Sequence, residues 1–264
     1  MTTQLDQKDG KLLVIDDLRV EVQGKEILHH VDLEIEKGEV HVLLGPNGSG
    51  KTTLLMSVMG FPAYRVTGGK IFFKGQDVTN LPLNERAKMG IGLSFQRPPT
   101  IRGVKTRQML EIFNKGEEEI RSMAQELDFE RFLDRDLNHG FSGGEIKRSE
   151  LLQLMAQNPH FLLLDEPESG VDLENIALIG RVIKELLQRD LKPQEGKSMK
   201  ELKREREKSG LIITHTGYIL DYLDADKGHV LMGGILACSG NPREILMTIK
   251  EEGYDECVNC CRIS

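Results

Sequence analysis

Gly45-Pro46-Asn47-Gly48-Ser49-Gly50-Lys51-Thr52 matches the pattern G-x-x-x-x-G-K-[ST] at every fixed position. The apolar run 40–44 precedes it and a helix-forming run from Lys51 to Met59 follows, so the octet reads as a turn from a buried strand into a helix. Glycines allow the backbone to wrap until successive N–H groups converge on phosphate oxygens. On this reading Lys51 neutralises the outer phosphates of a nucleoside triphosphate and the Thr52 hydroxyl faces Mg²⁺. Gly45, Pro46, Asn47, Gly48, Ser49, Gly50 and Thr53 complete the cradle.

Around this turn the pattern is mostly strand before and mixed after. Residues 12–22 hold short apolar stretches, Val31, Leu33 and Ile35 alternate, and glycine turns stand at Gly24 and Gly38, which predicts an antiparallel β subdomain. Strands are expected at 71–73 and 91–95, helix over most of 105–133, and a further helix at 142–157. Strand and helix then alternate: strand 161–165, helix 173–187, strand 211–214, short helix 217–223, a hairpin spanning 230–238, and a helix opened by Asn241-Pro242. Strands separated by helices favour a largely parallel sheet with its ligand at the strand C-terminal ends.

A second chemical half lies downstream. Phe161-Leu162-Leu163-Leu164-Asp165-Glu166 is an apolar strand delivering two carboxylates to a sheet edge. Asp165 is placed to hold Mg²⁺ through a water, and Glu166 to orient or deprotonate an attacking water.

Taken together with these, Phe141-Ser142-Gly143-Gly144-Glu145 resembles the signature motif of ABC-type ATPases, 23 residues before Asp165. Gln96 is similar to their Q-loop glutamine, Ser169-Gly170-Val171-Asp172 to their D-loop, and His215 to their switch histidine. The resemblance implies an α/β P-loop ABC ATPase fold. It has a mixed, largely parallel sheet core, an N-terminal antiparallel β subdomain and an inserted helical subdomain at about 96–157, all in one domain from residue 11 to 264. It implies ATP and Mg²⁺ as cofactors, with Glu166, His215 and Gln96 catalytic and Thr52, Gln96 and Asp165 at the metal. The resemblance further implies that two chains close over ATP as a homodimer, with Ser142, Gly143, Gly144 and Asp172 meeting the nucleotide side of the partner. Two departures stand out. Glu145 replaces the commoner glutamine, placing negative charge near the nucleotide. No aromatic residue precedes Phe61, so Val22 is expected where an aromatic ring usually stacks on adenine.

Finer resemblance points within the superfamily. Residues 95–104 (FQRPPTIRGV), 140–148 (GFSGGEIKR), 165–172 (DEPESGVD) and 251–254 (EEGY) resemble the Suf-type, SufC-like ATPases of iron–sulfur cluster assembly. The resemblance implies a SufB- or SufD-like scaffold protein as partner. Ile101 and Val104, in a loop-like stretch flanked by Pro98-Pro99 and Gly103, are expected to line its docking groove, the alternative being a loop folded onto its own subdomain. The ATP-binding subunit of a membrane importer is the alternative.

Composition narrows the remaining classes. Among 264 residues, 35 Lys and Arg against 42 Asp and Glu give a net charge of −7, which disfavours non-specific nucleic-acid binding. No apolar run is long enough to span a bilayer, and residues 1–6 carry neither basic nor apolar character, so direct membrane insertion is not expected and a cytoplasmic location is. A mixed-charge insertion at about 188–209 reads as a solvated surface helix over 198–208, the alternative being a partner-docking appendage. The cysteines, at 238, 257, 260 and 261, show no disulfide framework. Cys257, Cys260 and Cys261 form a tail read as exposed and without dedicated function, the alternative being a metal or cluster ligand completed by a second chain.

Overall fold

In the computed structural model, which describes residues 10–190 and 205–263, an antiparallel sheet lies against a mostly parallel one. The first sheet has the order β2 (Lys25–Glu36), β1 (Lys11–Val22), β4 (Arg65–Phe73), β5 (Gln76–Asp77). The second has the order β12 (Ile235–Gly240), β11 (Lys227–Met232), β3 (Val40–Leu44), β10 (Ser209–Ile213), β9 (Phe161–Asp165), β6 (Ile91–Ser94). All of its strands are parallel except β12, which returns antiparallel to β11.

Register explains why distant motifs meet. Ile213 aligns with Leu43 on one side and with Asp165 on the other, and Ser94 aligns with Leu164. The chain therefore leaves β3, β6, β9 and β10 at one edge, carrying the loops that begin at Gly45, Phe95, Glu166 and Thr214. Strands buried on both faces need continuous apolar runs, which Val40–Leu44 and Phe161–Asp165 supply.

Helices cover both faces. Leu54, Leu55 and Val58 of α1 (Lys51–Met59) join the cluster between the two sheets, with Leu13, Ile35, Leu43, Phe73, Phe161 and Leu211. Burying such a side chain fully contributes about 1.5–3 kcal/mol. The opposite face packs against α5 (Gly143–Gln157) and α6 (Leu173–Leu186) through Leu151, Leu152, Ile179 and Ile183. Arg86, on the short α2 (Leu83–Lys88), fixes the far end of α1. Its buried guanidinium donates to the Ser57 and Val58 carbonyls at 2.8 Å each and to those of Leu81 and Thr79 at 2.9 Å.

Several expectations are revised. The stretch 105–133 is broken into α3 (Thr106–Glu111), α4 (Glu117–Glu126) and a 3-10 turn at Glu130–Phe132. Ile101 and Val104 lie in a short strand, β7 (Ile101–Lys105), paired with β8 (Asp136–Leu137), and not in a loop. The helix expected over 198–208 falls mainly on residues outside the described set, and 205–208 are not helical. The chain end is helical: α7 (Pro242–Glu252) runs into α8 (Tyr254–Ile263), with Asn241 capping α7 through the Arg243 and Glu244 amides.

Candidate active site

The phosphate loop closes on itself. A Cβ added to Gly45 would lie 2.2 Å from the Leu231 carbonyl oxygen, so only glycine lets β3 turn beside β11. The Lys51 ammonium donates to the Gly45 and Pro46 carbonyls at 2.8 and 3.0 Å, folded back into its own loop. Burial pulls its pKa below the ordinary lysine range, against the attraction of Glu166 and Asp165. Asn47, Gly48, Gly50, Lys51, Thr52 and Thr53 line a cavity of about 340 Å³ whose far wall is Gln96, Glu166 and His215. Ile27 of β2 lines it as well and Val22 does not, so the apolar wall beside the loop comes from β2 and not from the end of β1.

Thr52 donates from Oγ1 to Asp165 Oδ2 at 2.9 Å, joining the loop to the end of β9. Asp165 Oδ1 is buried with no hydrogen-bond partner among the described residues, as is Ser49 Oγ. Burial raises the Asp165 carboxyl above its ordinary pKa, the Thr52 hydrogen bond lowers it and nearby Glu166 raises it further. A buried carboxylate beside a threonine hydroxyl is a hard-oxygen donor pair of the kind Mg²⁺ takes, so the residues present fit that ion.

Glu166 is held from two sides. Gln96 Nε2 donates to Oε2 at 2.7 Å, and His215 Nε2 stands 2.7 Å from Oε1. Its backbone sits in the left-handed region at φ 49°, with its N–H bonded to the Ile213 carbonyl at 3.1 Å. A residue in that region costs of order 1 kcal/mol or more and persists only where its surroundings fix it.

Ser142 and Gly144 stand apart from this cluster, at the start of α5. Ser142 is the N-cap: its amide donates to Glu145 Oε2 at 2.8 Å and its Oγ accepts from the Glu145 amide at 3.4 Å. The departure at Glu145 thus has a local use, completing a capping box that either an acid or an amide can close. A Cβ added to Gly143 would lie 2.3 Å from the Gly170 carbonyl oxygen, so the start of α5 touches the loop after β9 directly. Asp172 caps α6, accepting from the Asn175 amide at 2.9 Å. Free N–H groups at the α5 terminus and its macrodipole favour an anion there.

Sequence reasoning passed over a second set of residues. Lys147 and Glu150, on the buried face of α5, form an ion pair at 3.2 Å. Glu150 also accepts from Ser94 Oγ at 3.0 Å and from the Phe95 amide at 2.7 Å, tying α5 to the residue before Gln96. A charged i, i+3 pair is the only local signal, and on its own it reads as solvated surface. At the chain end, Cys257 is buried with Leu44, Val230 and Cys238 and so is not part of an exposed tail. Cys238 is disulfide-bonded, which the sequence spacing does not predict. The side chains of Cys260 and Cys261 lie outside the described residues, and among the described residues no His, Cys, Asp and Glu cluster suits a metal. Nor is any described helix long and apolar enough to cross a membrane.

A glycine cradle, a lysine inside it, and acid and imidazole groups on neighbouring parallel strands define a P-loop nucleotide-hydrolysing cassette. The chain belongs to the ABC transporter family, whose model matches residues 28–169. As such it is an ABC-type ATPase, binding and hydrolysing ATP. It is 38% identical over 257 residues to Vegetative protein 296 of Bacillus subtilis (strain 168), covering 92% of each chain. It is 35% identical over 261 residues to the Probable ATP-dependent transporter ycf16 of Cyanophora paradoxa, covering 93% of this chain and 94% of the other. Among solved structures, a nucleotide-free ATP-binding cassette from an ABC transporter shares the fold at TM-score 0.73 and 23% identity, covering 94% of this chain and 98% of that one. A dimeric cassette in a post-hydrolysis state, bound to ADP and Pi, matches at TM-score 0.71 and 22% identity, covering 88% and 99%.

Proposed function

We propose that this ATPase drives the rearrangement of an iron–sulfur cluster assembly scaffold of the SufB or SufD kind, hydrolysing ATP at the interface of two chains. The observation that carries the reading is an apolar groove of about 320 Å³ beside Gln96, lined by Phe95, Pro98, Pro99, Ile101, Met109 and Phe113 among others. A partner segment seated there presses on the residue whose amide holds Glu166. The groove alone would serve a permease equally. What favours the scaffold is the Suf-type resemblance of 95–104, 140–148, 165–172 and 251–254.

In this reading Glu166 accepts a proton from water as the water oxygen bonds to the γ-phosphorus. The bond from that phosphorus to the β–γ bridging oxygen breaks, leaving ADP and inorganic phosphate. His215 steadies Glu166 and the water, and Lys51 exchanges the Gly45 and Pro46 carbonyls for phosphate oxygens. Thr52 and Asp165, with Gln96, would hold Mg²⁺, which when bound neutralises charge on the β- and γ-phosphates. Ser142, Gly143 and Gly144 of a second copy close the site, with its Asp172 at the joint. The binding energy of ATP in the closed pair, in excess of that in the open one, is the work available for moving the scaffold.

The second reading, an importer's ATP-binding subunit, is favoured by the relatives' names, which describe a probable ATP-dependent transporter and probable ABC transporter ATP-binding proteins. Anaerobic affinity purification at native expression separates the two. Recovery of a soluble scaffold chain, lost when Ile101 is replaced by Asp while ATP is still bound, supports the first. Recovery of a polytopic membrane protein overturns it.

A further inference from the structure

The stretch just beyond Glu166 holds a carboxylate that the hydrolytic reading does not use. Glu168 is 6% exposed. Its Oε1 accepts hydrogen bonds from the hydroxyls of Thr214 and of Thr216, the latter at 3.2 Å. These two threonines are the chain neighbours of His215. Glu168 Oε2 is buried with no hydrogen-bond partner among the described residues. A buried carboxylate is costly wherever an apolar side chain would pack as well, so its presence points to what its bonds do.

Those bonds lace two loops together. Thr214 Oγ1 also accepts from the Gly217 amide at 2.9 Å, which closes residues 214–217 into a tight turn with His215 at its tip. Thr216 Oγ1 accepts from the Tyr218 amide at 3.3 Å. On the other strand, the Ser169 amide bonds to the Glu166 carbonyl at 3.0 Å, turning the chain so that Glu168 points back towards β10. The result is a closed circuit. Glu166 meets Ile213 through its backbone and His215 through its side chain, while Glu168 grips the residues on either side of that histidine.

We infer that Glu168 is a positioning residue for hydrolysis, its carboxylate clamping Thr214 and Thr216 so that His215 is held at hydrogen-bonding distance from Glu166. The left-handed backbone at Glu166 fits this role, because a strained residue keeps its geometry only when neighbouring segments over-determine it. Burial raises the Glu168 carboxyl above its ordinary pKa, the threonine hydroxyls oppose this and Glu166 adds to it. No hydrogen bond among the described residues joins the side chains of Glu168, Thr214 and Thr216 to Lys51, Thr52 or Asp165, so the clamp acts first on the arrangement of the Glu166–His215 pair.

The inference rests on Glu166 and His215 serving hydrolysis, which Glu166→Gln tests separately: a variant that turns over at the wild-type rate would remove the premise whatever Glu168 does. With the premise standing, steady-state kinetics on the full-length Glu168→Leu and Thr216→Val variants decide the matter. Thr216 is exposed, so its substitution leaves the core intact and keeps the test valid should Glu168→Leu fail to fold. Glu168→Leu is expected to lower kcat by about tenfold or more, as loss of alignment at a reacting centre does. Thr216→Val should lower it by about threefold, on the same alignment argument with one of two tethers kept. Thr216→Ser, which keeps the hydroxyl, should restore the rate, and ATP affinity should stay within about twofold in all three, because binding contacts are untouched. Unchanged kcat in folded Thr216→Val, or a fall that appears in ATP affinity and not in kcat, overturns the assignment.

Discussion

Glu150 and Asp165 are both buried carboxylates, and they are built for opposite ends. Glu150, in the middle of α5, is saturated by Ser94, the Phe95 amide and Lys147. Asp165, at the tip of β9, has Thr52 on one oxygen and no partner among the described residues on the other. Burial raises the pKa of each. The difference lies in unused valence. A carboxylate with both oxygens engaged rivets two segments together, whereas one with an oxygen to spare, beside a phosphate loop, is equipped to meet a cation that arrives with substrate.

The comparison breaks hardest at Lys147. Lys147→Met leaves Glu150 buried without its cation, and denaturant unfolding should show a loss of about 3–5 kcal/mol. Adding Glu150→Gln should recover most of that loss, because an amide keeps an acceptor for the Phe95 N–H and carries no charge. A single-variant loss below about 1 kcal/mol would mean the pair is not a rivet. Asp165→Asn should do the reverse. Without nucleotide the protein should unfold no more easily than the wild type, since a strained buried charge is gone. The stabilisation by Mg·ATP, about 2.7 kcal/mol at a hundred times the dissociation constant, should vanish from its thermal melts.

A third buried polar group sharpens the contrast through pH. His229 Nε2 lies 3.0 Å from His41 Nδ1, His229 Nδ1 bonds Ser239 Oγ at 2.7 Å, and His41 Nε2 reaches Glu39 at 3.0 Å. Burial, then His41 and Lys227, push the His229 pKa down to about 3. Unfolded, the same imidazole titrates near 6.5. Below that value the unfolded chain binds a proton that the folded chain refuses, so stability present above about pH 6.5 is lost as pH falls towards 3. The share of His229 is about 2 kcal/mol at pH 5, and the unfolding free energy of His229→Asn should decline less steeply as pH falls through that window. The smallest effect belongs to the nucleotide wall. Ile27→Ala should weaken ATP binding by about 1 kcal/mol of lost apolar contact, with Val22→Ala unchanged, as equilibrium dialysis would show. Equal losses at both positions would return the base contact to the end of β1.

What could be read in advance follows from the range of the interactions. The octet 45–52, the apolar run Phe161–Asp165 and the Asn241-Pro242 opening are local signals, and the structure places a loop, a strand and a capped helix on them. The break within 105–133 was harder to see, because Asn114 and Asp128 take left-handed conformations that apolar periodicity does not register. Gln96, Glu166 and His215 could be named from motif order, yet their meeting needs three parallel strands in register. Apart from Lys147, the hydrogen-bond partners given for Glu150 and Glu168 lie 46 to 56 residues away, and no spacing rule reaches that far.

The bare contact of Gly143 with the Gly170 carbonyl carries a consequence for how motion is shared. Two surfaces that meet without an intervening side chain behave like gear teeth cut to zero backlash: turning α5 by a few degrees must displace the loop that leads to Asp172 at once. Any side chain at position 143 would act as a shim, setting the teeth apart and letting one wheel slip against the other. The economy of a single hydrogen atom there is what ties any turn of the helix tip, undiluted, to the loop that leads to Asp172.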